Sequence, residues 1–159
     1  MKKILITLLS AFSISINAQW KGTTSNDDQR TMMIQRHMEL YPKNDQSQLK
    51  NIFNQAASIN VNGTNVSPKE LADFERMHHK IFENIKFQVG ANITSKYENG
   101  QIWTHAWAWW SAKGKKSKES AKIPVHLAFK WDGIKSNNAY FFFDPTFINS
   151  EVALNVSSN

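Results

Sequence analysis

At 159 residues, with 41% hydrophobic and 12% aromatic side chains, the chain is long enough for one domain with a real core and too short for two. Nineteen Lys and Arg against thirteen Asp and Glu give a formal charge of +6, and there is no cysteine. The composition excludes a disulfide scaffold, a thiolate metal centre and a cysteine-anchored lipoprotein, so stability has to come from the core.

The chain opens with Lys2 and Lys3, an apolar run over residues 4–16 and the small residue Ala18 before Gln19. That order predicts a secretory signal peptide over residues 1–18, because the run is too short to span a bilayer and lacks helical periodicity. The expected location is therefore outside the cytoplasm, periplasmic or secreted, with no membrane association after cleavage. The short basic start and the absent cysteines suit a bacterial route. Sequons at Asn62, Asn65, Asn92 and Asn155 are read as chance in an Asn-rich chain.

Residues 20–25 read as a polar lead-in. Asn26, Asp27 and Asp28 then supply a cap and first-turn negative charge for a helix running to about Tyr41, where Pro42 stops it. Ile34, His37, Met38 and Tyr41 recur at i, i+3, i+4 and i+7 and so share a face. Asp45 is positioned to cap a shorter helix whose buried side would be Leu49, Ile52, Phe53 and Ala56.

A short strand over 58–61 turns at Asn62-Gly63 into a second over 64–66. Ser67-Pro68-Lys69-Glu70 forms a capping box with proline at the first helical position, which predicts a helix to about Ile85. Leu71, Phe74, His78, Ile81 and Ile85 make its inner face, and His79 points away.

From Lys86 the hydrophobic period becomes two. A strand through Ile93 and Tyr97 meets Asn99-Gly100, a signal for a two-residue hairpin turn, and returns over 101–111. That register sets Lys96 opposite Trp103, Thr94 opposite His105 and Asn92 opposite Trp107. One face then carries Ile93, Tyr97, Ile102, Ala106 and Ala108; the other carries Trp103, His105, Trp107 and Trp109 with Asn92, Thr94 and Lys96. A loop over 113–122, with five lysines and one glutamate, leads to a strand over 123–131. Asp132-Gly133 turns the chain into a last strand over 139–144, ended by Pro145. Residues 151–159 read as a polar flexible tail.

The order of three helices interrupted by a small hairpin, then four long antiparallel strands, resembles the nuclear transport factor 2-like superfamily, which includes SnoaL-like proteins and ketosteroid isomerases. Met38-Glu39-Leu40-Tyr41 with Leu49-Lys50-Asn51-Ile52-Phe53, Asn62-Gly63 with Ser67-Pro68-Lys69-Glu70-Leu71, and Pro124-Val125-His126-Leu127-Ala128-Phe129-Lys130-Trp131-Asp132-Gly133 carry the likeness. It implies an α+β cone-shaped roll over residues 19–150, with three N-terminal helices on a curved, mainly antiparallel sheet around an apolar pocket. It also implies a homodimer through the outer face of the sheet. Isomerase-type relatives place a carboxylate base near the first hairpin, but residues 56–63 (AASINVNG) contain no acid, and neither do residues 123–131 (IPVHLAFKW), where cyclase and isomerase relatives carry an aspartate.

Histidine is the residue type best able to replace a carboxylate near neutral pH. His37 and His78 fall on apolar helix faces, and His105 and His126 on neighbouring strands. The candidate catalytic groups are His78, His105, His126 and Asp144, and the candidate ligand wall is Trp103, His105 and Trp107, with His78 entering from the third helix. Glu75, His78 and His79 have helical spacing for a metal, but adjacent histidines diverge by about 100 degrees on a helix and HExxH is absent, so no metal and no cofactor is expected. The lysine loop has no arginine and lies in an exported chain, so no nucleic-acid partner is expected. Three functions follow: binding of a small, largely apolar ligand; a histidine-based lyase or isomerase; or an interaction module using the tryptophan face.

Overall fold

A computed structural model describes residues 21–157, so the expected signal peptide lies outside the described residues. Seven strands form one sheet: β1 (Gly22–Ser25), β2 (Phe53–Val61), β3 (Thr64–Val66), β4 (Phe82–Tyr97), β5 (Ile102–Gly114), β6 (Ser120–Asp132) and β7 (Lys135–Phe143), in the order β1-β4-β5-β6-β7-β2-β3. Every pairing is antiparallel except β2 with β7. Among the described residues four α-helices accompany it: α1 (Gln29–Leu40), α2 (Leu49–Ile52), α3 (Pro68–Ile81) and α4 (Thr146–Val156). The architecture is the expected α+β roll, with a curved, unclosed sheet.

The local signals act as their chemistry requires. Asp28 caps α1 by accepting from the Arg30 amide, and the helix gives way to a 3-10 turn at Tyr41–Lys43, which contains Pro42. Ile34, His37, Met38 and Tyr41 are all buried, as the stripe predicts. Ser67 and Glu70 make both halves of the capping box on α3. Asn62 and Gly63 both adopt positive φ, which gives the tight turn between β2 and β3.

Several boundaries differ. Residues 22–25, read as a lead-in, form β1 against the edge of β4; Gly22 is required there, since a Cβ would lie 2.2 Å from the Lys96 carbonyl oxygen. Asp45 accepts from the Ser47 amide and not from a helix, and α2 ends at Ile52, so Phe53 is buried from a strand and Ala56 is exposed. The third helix stops at Ile81, four residues early, because Phe82 pairs with Gly114 and packs its ring 5.2 Å from Trp110. A bulge near Asn84, with φ +57°, and a second near Gly90 bend β4. The tail expected over 151–159 is helical through Val156, because the Glu151 carboxylate, 1% exposed, is anchored by the Lys116 and Ser117 amides at the β5–β6 tip.

The Asn99-Gly100 hairpin has three connecting residues. Tyr97 pairs with Gln101, the Gly100 amide donates to the Tyr97 carbonyl at 2.9 Å, and Gly100 takes φ +82° while Asn99 stays out of the left-handed region. This is a type I turn closed by a glycine bulge, and the same two residues satisfy it. The β4–β5 register moves by one: Thr94 faces Thr104, Asn92 faces Ala106, Lys96 faces Ile102 and Ser95 faces Trp103. A one-residue slip exchanges the faces of a strand, so Asn92 and Thr94 turn inward and Ile93 outward. Trp131 Nε1 donates to Thr104 Oγ1, which bonds Thr94 Oγ1, which bonds Thr31 Oγ1 on α1, tying that helix to the sheet.

Candidate functional site

The helices cover the sheet face carrying Ala106, Ala108 and Trp110 on β5, Val125 and Leu127 on β6, and Phe141 and Phe143 on β7. Alanines allow close approach of the helices, and Trp110 falls on this face by parity with them. A cavity of about 70 Å³ remains between these strands, α1, α3 and Ile148 of α4. The volume is several times what one water needs and suits a compact molecule of a few heavy atoms.

Its lining is almost wholly apolar, with four polar side chains from the helical layer: His37, Tyr41, Glu75 and His78. His37 Nε2 lies 2.9 Å from Glu75 Oε1, and both residues are 5% exposed. Tyr41 Oη lies 2.5 Å from His78 Nδ1 and accepts from Trp110 Nε1 at 3.0 Å. Among the described residues three polar atoms of this group have no hydrogen-bond partner: His37 Nδ1, Glu75 Oε2 and His78 Nε2. Unpaired buried polar atoms are costly, and these three belong to residues that line one apolar cavity. Burial, with the neighbouring His79 second, pushes the His78 imidazole down to about 3, so it is neutral over the ordinary pH range. Burial likewise raises the Tyr41 phenol, which keeps its proton.

Of the sequence candidates, His78 lines this cavity. Trp103, His105, Trp107 and His126 do not: odd-numbered β5 positions face away from the helices, and His126 on β6 lies beside them. There His105 Nδ1 and His126 Nε2 are 3.2 Å apart, with the rings within 12° of parallel. Burial pushes both imidazoles down, and His126 adds to the fall of His105. Trp107 stacks on His126 at 5.0 Å, and Trp103 stacks on His105 at 6.1 Å. Asp144 is exposed and accepts from the Thr146 amide and hydroxyl, opening α4.

Glu75, His78 and His79 bond three different partners: His37, Tyr41 Oη and the Tyr41 carbonyl. Among the described residues no group of three or more His, Cys, Asp or Glu could hold a metal ion. Sequence reasoning weighed Glu75 only as a metal ligand and missed Trp110. Glu75 carries a signal, since it stands four residues after Leu71 and three before His78 on the buried stripe; Trp110 is legible from β5 alternation.

The fold, with helices on one side of a curved sheet, has counterparts among solved structures. One is a protein of ketosteroid isomerase-like fold from Catenulispora acidiphila, in complex with trimethylamine. It has a TM-score of 0.60 at 10% identity, over 77% of this chain and 92% of that one. The fold is the nuclear transport factor 2-like cone. Wild-type IdmH from Streptomyces antibioticus matches this cone with a TM-score of 0.60 at 10% identity, over 79% and 99% of the two chains. A SnoaL-like polyketide cyclase from Agrobacterium tumefaciens matches with 0.59 at 8% identity, over 79% and 98%. No family model matches the sequence, and no curated protein matches it.

Proposed function

We propose that this nuclear transport factor 2-like protein binds a small, largely apolar molecule in the cone cavity. The observation that carries the reading is the group of unpaired polar atoms on His37, Glu75 and His78 around an otherwise apolar space of about 70 Å³. The complex of the Catenulispora protein of like fold with trimethylamine, a molecule of this size, supports the reading. Native mass spectrometry of protein purified from its own source tests it. The expected result is a complex heavier than the chain by one small molecule that is released on denaturation; a mass accounted for by polypeptide alone counts against the reading.

A second reading, a lyase or isomerase working by general acid/base catalysis, is favoured by the His37–Glu75 contact. A carboxylate and an imidazole 2.9 Å apart in an apolar cavity are the groups such a reaction needs. Glu75 supplies, from α3, the carboxylate missing from the segments where the isomerase and cyclase branches carry theirs.

The outer face of the sheet supports self-association. Trp107, Trp109, Tyr140 and Phe142 are between 37% and 49% exposed on it, an aromatic surface that a second copy would cover. Export led by residues 1–18 completes the proposal, and N-terminal sequencing of the protein from its source, with a start at Gln19, would establish it.

A further inference from the structure

The hydrogen bonds behind the cavity wall have a direction, and it defines the ligand further. Indole Nε1–H only donates, so Trp110 gives its hydrogen to Tyr41 Oη at 3.0 Å. The phenol has a single hydrogen, and among the described residues Oη has one other hydrogen-bonding neighbour, His78 Nδ1 at 2.5 Å. Tyr41 therefore donates and Nδ1 accepts. The reverse direction would leave the phenol hydrogen without an acceptor in a residue 5% exposed. The imidazole proton consequently sits on Nε2, a buried donor with no partner on a residue that lines the cavity.

We propose that the cavity selects a compact, uncharged molecule bearing one hydrogen-bond acceptor, a carbonyl oxygen being the simplest, and that Trp110 and Tyr41 are positioning residues that enforce this by holding His78 as an Nε2–H donor. The proposal rests on the ligand-binding reading above and narrows it. An acceptor on the ligand satisfies the orphan donor, whereas a hydrocarbon of the same shape leaves it unpaired. Aromatic walls from Tyr41, Phe74, Phe87 and Trp110 would by themselves suit an alkylammonium ion. The His78 N–H opposes one by its bond dipole, whereas Glu75 Oε2, on the same lining, attracts one, so the ammonium arm of the test below is the decisive one. An anion would give up its hydration for one N–H in a space it shares with Glu75.

Three probes of nearly one shape separate these cases: cyclobutanone, methylenecyclobutane and cyclobutylammonium. Each is titrated into the full chain, into Tyr41→Phe and into Trp110→Phe, with ¹⁵N spectra of the histidines recorded alongside. The expected result in the wild-type protein is a protonated Nε2 and unprotonated Nδ1 on His78, with cyclobutanone shifting Nε2. The affinity ratio of ketone to hydrocarbon falls in Tyr41→Phe according to the share of His78 whose proton moves to Nδ1, which the ¹⁵N spectra of that variant read directly. It falls in the same direction in Trp110→Phe. Tyr41→Phe keeps the ring and Trp110→Phe keeps a smaller one, and their far-UV spectra and the Thr31–Thr94–Thr104 bonds report whether the fold is intact. A proton on Nδ1, an unchanged ratio in Tyr41→Phe, or preference for the ammonium overturns the donor proposal and leaves ligand binding standing. Failure of all three probes to perturb cavity residues overturns ligand binding and this proposal with it.

Discussion

Glu75 on α3 meets His37 on α1 at 2.9 Å between Oε1 and Nε2, and both side chains are shut off from solvent. Two helices are thereby joined beside the cavity through residues 38 apart in sequence. Removing one partner strands the other in an apolar surround, which costs about 3–5 kcal/mol, whereas replacing both removes the desolvation cost together with the bond. His37→Leu should therefore lower the urea unfolding free energy by about 3 kcal/mol, and adding Glu75→Leu should recover most of the loss. A double variant no more stable than the single one would show that the pair is not the coupling seen here.

His78 makes folding depend on acid. The folded imidazole binds a proton at about 3, and its ordinary value is 6.5. Between those limits the unfolded chain binds more protons, so stability rises with pH across the window and falls on acidification. At pH 4.5 the group should cost roughly 2–3 kcal/mol relative to pH 7. Urea unfolding of the wild type and of His78→Gln at both values isolates this term, since the carboxylates are common to both. Equal losses in the two proteins would remove His78 from the account.

Glu151 holds the β5–β6 tip to α4 through the Lys116 and Ser117 amides at 2.6 and 3.1 Å, and a Cβ on Gly114 would run into its carboxylate. Hydrogen bonds to a charged group are worth about 1.5–3 kcal/mol each. Glu151→Ala should speed amide exchange at Lys116 and Ser117 by at least about tenfold while leaving the Thr31 region protected. Exchange that stays slow at both tip amides would mean that other contacts hold the hairpin.

Trp107 stands 44% exposed at the middle of the outer aromatic face. If a second copy covers that face, Trp107→Glu buries an uncompensated charge in the interface and should give a monomer by light scattering, where the wild type gives a dimer. A wild-type monomer at micromolar concentration would refute self-association.

The legible parts of the sequence were those fixed by neighbours in the chain. The Ser67–Glu70 capping box, the Ile34–Tyr41 stripe and the Asn62-Gly63 turn each need a few adjacent residues, and each stands as read. The Asn99-Gly100 pair serves two turn types of different length, and the choice between them decided which face of β4 enters the core. Helix α4 carries little periodic signal and depends on Glu151 reaching a tip 35 residues away. The site was hidden for the same reason. Glu75 reads only as a candidate metal ligand because nothing local shows that His37 packs against it, and the tryptophan stripe drew the expected wall to the face opposite the cavity, whereas of the strand's tryptophans 103, 107, 109 and 110 it is Trp110 that lines the cavity.

The central claim is that the cone holds a usable cavity beneath its helices. Methyl NMR of Ile, Leu and Val groups during a cyclobutanone titration tests it most directly. The account predicts saturable shifts at Leu71, Val125, Leu127 and Ile148, which line the space, with little change at Ile93 and Ile134 outside it. Saturable shifts confined to the outer face, or none at the four lining methyls, would contradict it.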